Sequence, residues 1–226
     1  SCEKDTGTET VNVPIGFSNN VTTATRAGDI NNDNLTSIGV FASLTHGNFD
    51  ATVSTPNFMY NQLVEKKNGT WQYTPLKYWP NNDSDKISFF AYAPHNATGV
   101  TPSNAIQKGY PSFTYTTPTA EADQVDLLAA TPIISQNGGS VDFKMQHALT
   151  KVVFNVKSND DITGKVITAF SITGAKSGTL AFHVPANDDD KGFGWTYPST
   201  VTAETFTATT KSLSVPDKST PEEAML

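Results

Sequence analysis

This sequence contains only one cysteine and one arginine. The first shortage excludes an internal disulfide bond, and the second argues against nucleic-acid binding. The chain of 226 residues contains one cysteine, Cys2, so no disulfide bond can form within it. Its only arginine is Arg26, and 22 acidic against 15 basic residues give a net charge of −7. Such a chain lacks the basic surface that nucleic acids and anionic membranes require. We therefore predict that it does not bind nucleic acid.

Long apolar runs and helical periodicity are also absent. No stretch approaches the roughly 20 apolar residues that a membrane-spanning helix needs. The hydrophobic residues, 37% of the chain, instead alternate with polar ones in short segments separated by turns rich in Asn, Gly and Pro. This pattern is typical of short strands, and it predicts an all-β protein.

No motif for a chemical reaction is visible, so we predict no enzyme, no cofactor and no metal. There is no nucleophile elbow, phosphate-binding loop or dinucleotide fingerprint, and the four histidines show no metal-ligand spacing. Residues 29–34 space oxygen side chains like a calcium loop, but Asn34 and Val40 stand where that loop needs Gly and an acid. An Asx-rich turn is the better interpretation. A carboxylate pair that meets across the fold, as a glycosidase needs, is left open.

Residues 141–156 divide the chain, because the apolar positions change phase within them. The odd-numbered apolar residues are Val141, Phe143, Met145 and Leu149, and the even-numbered ones are Val152, Phe154 and Val156. Either a bulge lies near residues 147–150, or one β-sandwich ends there and another begins. We favour the second interpretation, with His147 as a hydrogen-bonded histidine at the junction. It predicts a flexible tether at residues 1–9, an N-terminal sandwich at 10–148 and a C-terminal sandwich at 149–226.

The first strand is predicted at residues 11–17, where Val11, Val13, Ile15 and Phe17 alternate with polar or small residues. Pro14 cannot donate a hydrogen bond to a neighbouring strand, so this strand should lie at a sheet edge. Residues 37–44 and 86–94 are apolar on both faces, which predicts central strands. Residues 58–65 and 71–73 read as a hairpin with an Asn-Gly turn.

Three neighbouring aromatic residues admit two interpretations. Trp71, Tyr78 and Trp79 could form an exposed platform that stacks on sugars, or they could be buried between sheets. The first interpretation makes a surface glycan-binding lipoprotein the alternative function.

Cys2 is the most informative residue of the N-terminus. A small residue before a cysteine, followed by a polar tether, resembles the end of a bacterial lipobox, in which the cysteine becomes linked to diacylglycerol. The alternative is an ordinary free thiol. Acyl anchors gain about 0.8 kcal/mol per buried methylene group, so two or three chains attach a protein to a membrane without a spanning helix.

Several of these segments together resemble the fimbrillin superfamily of Bacteroidales, the pilins and related lipoproteins of type V pili. The similarity lies in the Ser-Cys start, the early alternating strand and an arginine in the polar segment after it. It continues in Tyr78-Trp-Pro, in Ile87-Ser-Phe-Phe-Ala-Tyr-Ala-Pro94 and in the stretch from Phe143 to Lys151.

The resemblance implies two tandem transthyretin-like β-sandwich domains of Greek-key type, of which the second is expected to be short. It also implies lipidation at Cys2, location at the outer membrane or in fimbriae, and cleavage after Arg26 that removes the edge strand. The partners would be other pilin subunits, which would assemble by strand exchange, with ligands on host or bacterial surfaces as further candidates. Whether the protein would be shaft, tip or anchor stays open.

Overall fold

Strands make up nearly all of the regular structure. A computed structural model describes residues 12–22, 29–156, 166–214 and 222–225. In chain order the strands are β1 (Phe17–Val21), β2 (Ser37–His46), β3 (Met59–Lys67), β4 (Thr70–Gln72), β5 (Asp85–Ala93), β6 (Val100–Pro102), β7 (Ser112–Thr116), β8 (Leu128–Ala130), β9 (Ile133–Gln136), β10 (Val141–His147), β11 (Val153–Val156), β12 (Val166–Ala175), β13 (Ser177–Phe182), β14 (Phe193–Thr196), β15 (Ala203–Ser214) and β16 (Glu222–Met225). A single 3₁₀ turn, Glu121–Asp123, is the one helical element in these ranges. No helix of the described residues is long and apolar enough to cross a membrane. The predicted all-β class is confirmed.

The main sheet has the strand order β1-β10-β8-β5-β2-β3-β4, and β9 pairs with β5 beside it. β2 and β5 pair antiparallel along almost their whole length at its centre. Both strands were predicted to be central because their two faces are apolar, and the structure confirms this. The reason is that the sheet has a hydrophobic core on each face.

The two cores have different walls. The first lies between strands of the main sheet and the N-terminal segment, and its buried residues include Ile38, Val64 and Phe89. The second lies between the opposite face of the main sheet, represented by Phe41 and Phe90, and a second sheet. Adjacent residues of β5, Phe89 and Phe90, therefore enter different cores, as the alternation of side chains along a strand requires.

The second sheet corrects the predicted domain boundary between residues 148 and 149. Its strand order is β14-β13-β7-β6, with β13 antiparallel to β7. Residues on both sides of the predicted boundary therefore belong to one sandwich, and Leu180 and Phe182 are buried in the same core as Phe113. The phase change does mark a strand end, because β10 stops at His147 and β11 begins at Val153.

Four strands belong to neither of these two sheets. Among the described residues, β11 pairs only with β16, and β12 pairs only with β15. The rings of Phe154 on β11 and Phe170 on β12 are stacked, with centroids 4.9 Å apart. These strands are what remains of the predicted C-terminal unit once β13 and β14 are assigned to the first sandwich.

Two glycines are required for different reasons, one by the backbone angles of a turn and the other by the close approach of a ring. The predicted hairpin joins β3 to β4 through Asn68 and Gly69, whose φ angles of 51° and 77° suit a tight hairpin turn. Gly39, in the middle of β2, lies under the ring of Tyr92, and a Cβ atom there would approach that ring to 2.4 Å.

The loop between β13 and β14 is organised by one carboxylate. Asp190 accepts hydrogen bonds from the backbone N–H of Gly192 (2.9 Å) and of Ala186 (3.0 Å). The ring of His183 lies 2.8 Å from the same carboxylate. These contacts, the two backbone bonds foremost, lower the pKa of Asp190 to about 2.

Candidate functional site

Residues 12–22 run along the edge of the main sheet and bind to it through backbone hydrogen bonds. β1 pairs parallel with β10, from Phe17 opposite Val141 to Val21 opposite Met145. The N–H of Val141 donates to the carbonyl of Gly16 (3.0 Å), and Thr22 donates to the carbonyl of Met145 (2.9 Å). One side of this segment is thus part of a regular ladder.

The beginning of the same segment reaches the other end of the sheet. Ile15 donates its N–H to the carbonyl of Lys77 (2.9 Å), and Trp79 donates to the carbonyl of Val13 (2.9 Å). Residues 77–79 follow soon after β4, the strand at the opposite edge. The segment therefore connects both edges of the sheet across the first core.

The inward face of this segment is apolar and buried. Ile15 is 1% exposed, Phe17 7% and Val21 6%. Burying a side chain of this size stabilises the folded state by about 1.5–3 kcal/mol each. We name this segment the closing strand (residues 12–22), and the surface beneath it the closing groove.

The floor of the closing groove is aromatic. The ring of Phe17 lies edge-on to Tyr73 and Phe89, at centroid distances of 5.2 and 5.8 Å, and stacks on Phe143 at 5.8 Å. Trp79 is edge-on to Phe89 at 5.8 Å and is 5% exposed. Removing the closing strand would uncover these rings together with the backbone edge of β10.

Two polar side chains on the floor of the closing groove donate hydrogen bonds to backbone carbonyls. The hydroxyl of Tyr73 donates to the carbonyl of Ile15 (2.7 Å), and burial raises the pKa of this tyrosine. The indole N–H of Trp79 donates to the carbonyl of Gly139 (3.1 Å). On the outer face, Ser18 donates to Asp142 (2.6 Å). Hydrogen bonds from Ser140 and Ser18 lower the pKa of Asp142.

Asn19 is the exception on the inward face of the closing strand. It lies two residues from both Phe17 and Val21 and opposite Phe143 in the parallel register. Its amide nitrogen and amide oxygen are both buried, and neither has a hydrogen-bond partner among the described residues. Sequence reasoning missed this residue because the alternation of apolar residues that defined the first strand ends at Phe17, before Asn19.

The predicted removable strand is shifted in the structure. The continuous strand is Phe17–Val21, whereas residues 13–15 form only an isolated bridge, Pro14 with Tyr78. Ile15 and Phe17 are buried, but Val13 is 51% exposed, so it does not share their buried environment. Alternation predicts where a side chain points but not whether other atoms cover it. Val11 lies outside the described residues.

The residues predicted for lipidation and cleavage, Cys2 and Arg26, also lie outside the described residues, in ranges 1–11 and 23–28. The chain is anchored on both sides of the second range. Before it, Val21 donates its N–H to the side chain of Asn32 (2.7 Å). After it, Ile30 donates to the carboxylate of Asp126 (2.8 Å). A cut between these anchors would leave the closing strand held by non-covalent contacts alone.

A cleft of about 260 Å³ lies beside the second anchor and contains the carboxylates of Asp29 and Asp126. Asp29 accepts a hydrogen bond from Lys151 (3.0 Å), and Asp126 lies 2.9 Å from the ring of His147. His147, at the end of β10, is hydrogen-bonded through Nδ1 as predicted, but its Nε2 is buried without a partner among the described residues. Both carboxylates hydrogen-bond to neighbouring residues of the fold. This favours a structural role for them over the catalytic carboxylate pair that a glycosidase needs.

The three aromatic residues proposed for sugar stacking do not form one exposed platform. Tyr78 is 44% exposed, but Trp79 is buried and Trp71 is partly buried against the first core. The sugar-stacking prediction is therefore wrong for Trp79.

The calcium-like residues form the predicted Asx turn, in which Asn31 accepts hydrogen bonds from the N–H groups of Asp33 and Asn34. Within the described ranges, no group of three His, Cys, Asp or Glu residues could hold a metal ion.

The fold and this edge define an all-β protein whose N-terminal strand closes one core of a two-faced sheet. Residues 23–225 match the fimbrillin-like family, and the chain belongs to that family. A curated relative, the fimbrium subunit Fim1C of Phocaeicola vulgatus, is 35% identical over 156 residues, which are 61% of this chain and 41% of that protein.

Solved structures agree with this assignment. The chain resembles a fimbrial protein of Bacteroides vulgatus with a TM-score of 0.60 and 26% identity, over 93% of this chain and 64% of the other. A putative cell adhesion protein of Bacteroides uniformis shares the fold with a TM-score of 0.51 at 14% identity, over 95% of this chain and 75% of the other. The chain thus spans less than two thirds of the length of Fim1C and of the Bacteroides vulgatus fimbrial protein.

Proposed function

We propose that this chain is a structural component of a bacterial surface fimbria, a subunit or an accessory component. We further propose that proteolysis removes its closing strand before a strand of another subunit takes that place. The observation that carries the proposal is the position of residues 12–22. They fill an apolar groove at a sheet edge, and the next residues, 23–28, contain the only arginine.

Strand exchange follows from the physical chemistry of this edge. Loss of the closing strand leaves the backbone groups of β10 that face β1 without partners, and it uncovers the rings of Tyr73, Phe89 and Phe143 that contact Phe17. An unpaired edge above an apolar groove is a template for a strand from another molecule. The uncut chain fills its own groove and should therefore not assemble.

Lipidation at Cys2 and location at the cell surface belong to the same proposal. A lipid on Cys2 would hold the uncut protein on the outer membrane. A cut after Arg26 would separate Cys2 and the closing strand from the remainder of the chain. A shaft subunit would lose this segment, whereas an anchor would keep it.

The four strands outside the sandwich fit the second domain that the resemblance implies. We assign to it β11, β12, β15 and β16, which pair among themselves and are linked by the stacked rings of Phe154 and Phe170. This assignment replaces the division at residues 148 and 149.

An arginine-specific protease tests the proposal, because the chain offers a single cleavage site. The folded protein is digested, its intact mass is measured, and assembly is followed by size-exclusion chromatography and electron microscopy. Arg26→Gln is the matched control, since it keeps the length and polarity of the side chain. Polymers after cleavage, and none from the uncut or Arg26→Gln protein, are expected. A cut protein that has lost its first 26 residues but stays monomeric would overturn the proposal.

A further inference from the structure

Asn19 is a mismatch between the closing strand and its groove. Side chains alternate along a strand, so Phe17, Asn19 and Val21 point to the same side. Phe17 and Val21 are buried and Asn19 is partly buried, whereas Ser18 and Asn20 are exposed. The two flanking positions are filled by apolar side chains that are 7% and 6% exposed. The middle position holds an amide whose two polar atoms are buried without a hydrogen-bond partner in the described part of the chain.

The surroundings of Asn19 favour an apolar side chain. Its register partner is Phe143, which is 1% exposed, and the neighbouring pairs on the same face are Phe17 with Val141 and Val21 with Met145. A buried amide without a partner loses its hydrogen bonds to water and gains none in return. An aliphatic side chain of the same shape carries no such penalty.

We propose that Asn19 weakens the binding of the closing strand to the closing groove, and that the groove binds more tightly to a strand with an aliphatic residue at this position. The inference rests on the proposed function and deepens it by describing the partner. The incoming strand is an extended segment of another subunit that is apolar at the positions of Phe17 and Val21 and aliphatic between them. Such a strand keeps the backbone pairing with β10 and removes the mismatch, so exchange is favourable.

The mismatch can be tested in the intact chain, without any cleavage. Leucine branches as asparagine does, so Asn19→Leu replaces both polar atoms by methyl groups at nearly constant shape. We expect the unfolding equilibrium constant to fall at least about fivefold, the lower end of the penalty for an unsatisfied buried group. Asn20→Leu controls for the added leucine, because Asn20 is the next residue of the same strand and is exposed. Its Oδ1 accepts a hydrogen bond from Asn32 (3.1 Å), so this variant should be no more stable than the parent. An Asn19→Leu protein no more stable than the parent would overturn the inference.

The exchange is tested with synthetic peptides. Labelled peptides of residues 12–22, unchanged, with Asn19→Leu or with Asn20→Leu, are added to protein cut after Arg26, and binding is followed by fluorescence anisotropy. The Asn19→Leu peptide should bind at least about fivefold more tightly than the other two. Equal binding of all three overturns the inference but leaves the proposed function intact. If no peptide binds the groove while Asn19→Leu stabilises the intact chain, the proposed strand exchange is refuted. The destabilising effect of Asn19 in the intact chain would still be supported.

Discussion

Truncating Phe17 measures how much the closing strand contributes to the first core. This side chain is 7% exposed and contacts three aromatic rings at centroid distances of 5.2–5.8 Å. Phe→Ala changes in protein cores cost about 3–5 kcal/mol, because the lost transfer free energy and the cavity add up. Since β1 is an edge strand that can shift toward the cavity, we expect the lower end, about 3 kcal/mol.

Urea unfolding of the intact chain, followed by tryptophan fluorescence, gives this free energy by linear extrapolation. Trp71 and Trp79 report on the main sheet, because both pack in the first core. Val13→Ala is the control within the same segment, since Val13 is 51% exposed and its truncation should change the free energy of unfolding by less than about 0.5 kcal/mol. A cost below about 1 kcal/mol for Phe17→Ala, or equal costs for both variants, would show that the segment is not part of the core.

Two further predictions concern the sandwich that carries the groove. Gly39→Ala should destabilise the protein by about 2 kcal/mol or more, because its Cβ would meet the Tyr92 ring at 2.4 Å. Gly194→Ala is the control and should be tolerated, because a Cβ there would have no atom within 4 Å. Thermal unfolding compares the two variants. The pKa of Asp190 is lowered to about 2, so its stabilising effect is complete above its ordinary value of 3.8 and is lost as the pH falls toward 2. The melting temperature of Asp190→Asn should therefore fall less steeply than that of the parent between pH 4 and 2. Parallel slopes for the two proteins would contradict this.

Local patterns in the sequence were sufficient for the centre of the main sheet. A strand that is apolar on both faces must lie between two cores, and this rule located β2 and β5. The Asn-Gly turn located the hairpin of β3 and β4 because both residues adopt positive φ angles readily. These features depend on nearby residues alone.

Long-range pairing could not be derived in the same way. Nothing in the alternation of β13 indicates that its partner is β7, so the domain boundary was placed too early. The closing strand was recognised by Ile15 and Phe17, but its continuation to Val21 was missed because Asn19 interrupts the alternation of apolar residues. The physical mismatch at Asn19 is thus the feature that concealed the strand.

Hydrogen exchange of the cut protein tests most directly whether residues 12–22 are a separable cover. After cleavage at Arg26 and removal of the released peptide, amide exchange is measured by mass spectrometry for β10 and for the central strands β2 and β5. We expect faster exchange at the β10 amides that face β1, such as the N–H of Val141 that donates to Gly16, and unchanged protection in β2 and β5. Unchanged protection of β10, or loss of protection throughout the main sheet, would contradict this expectation.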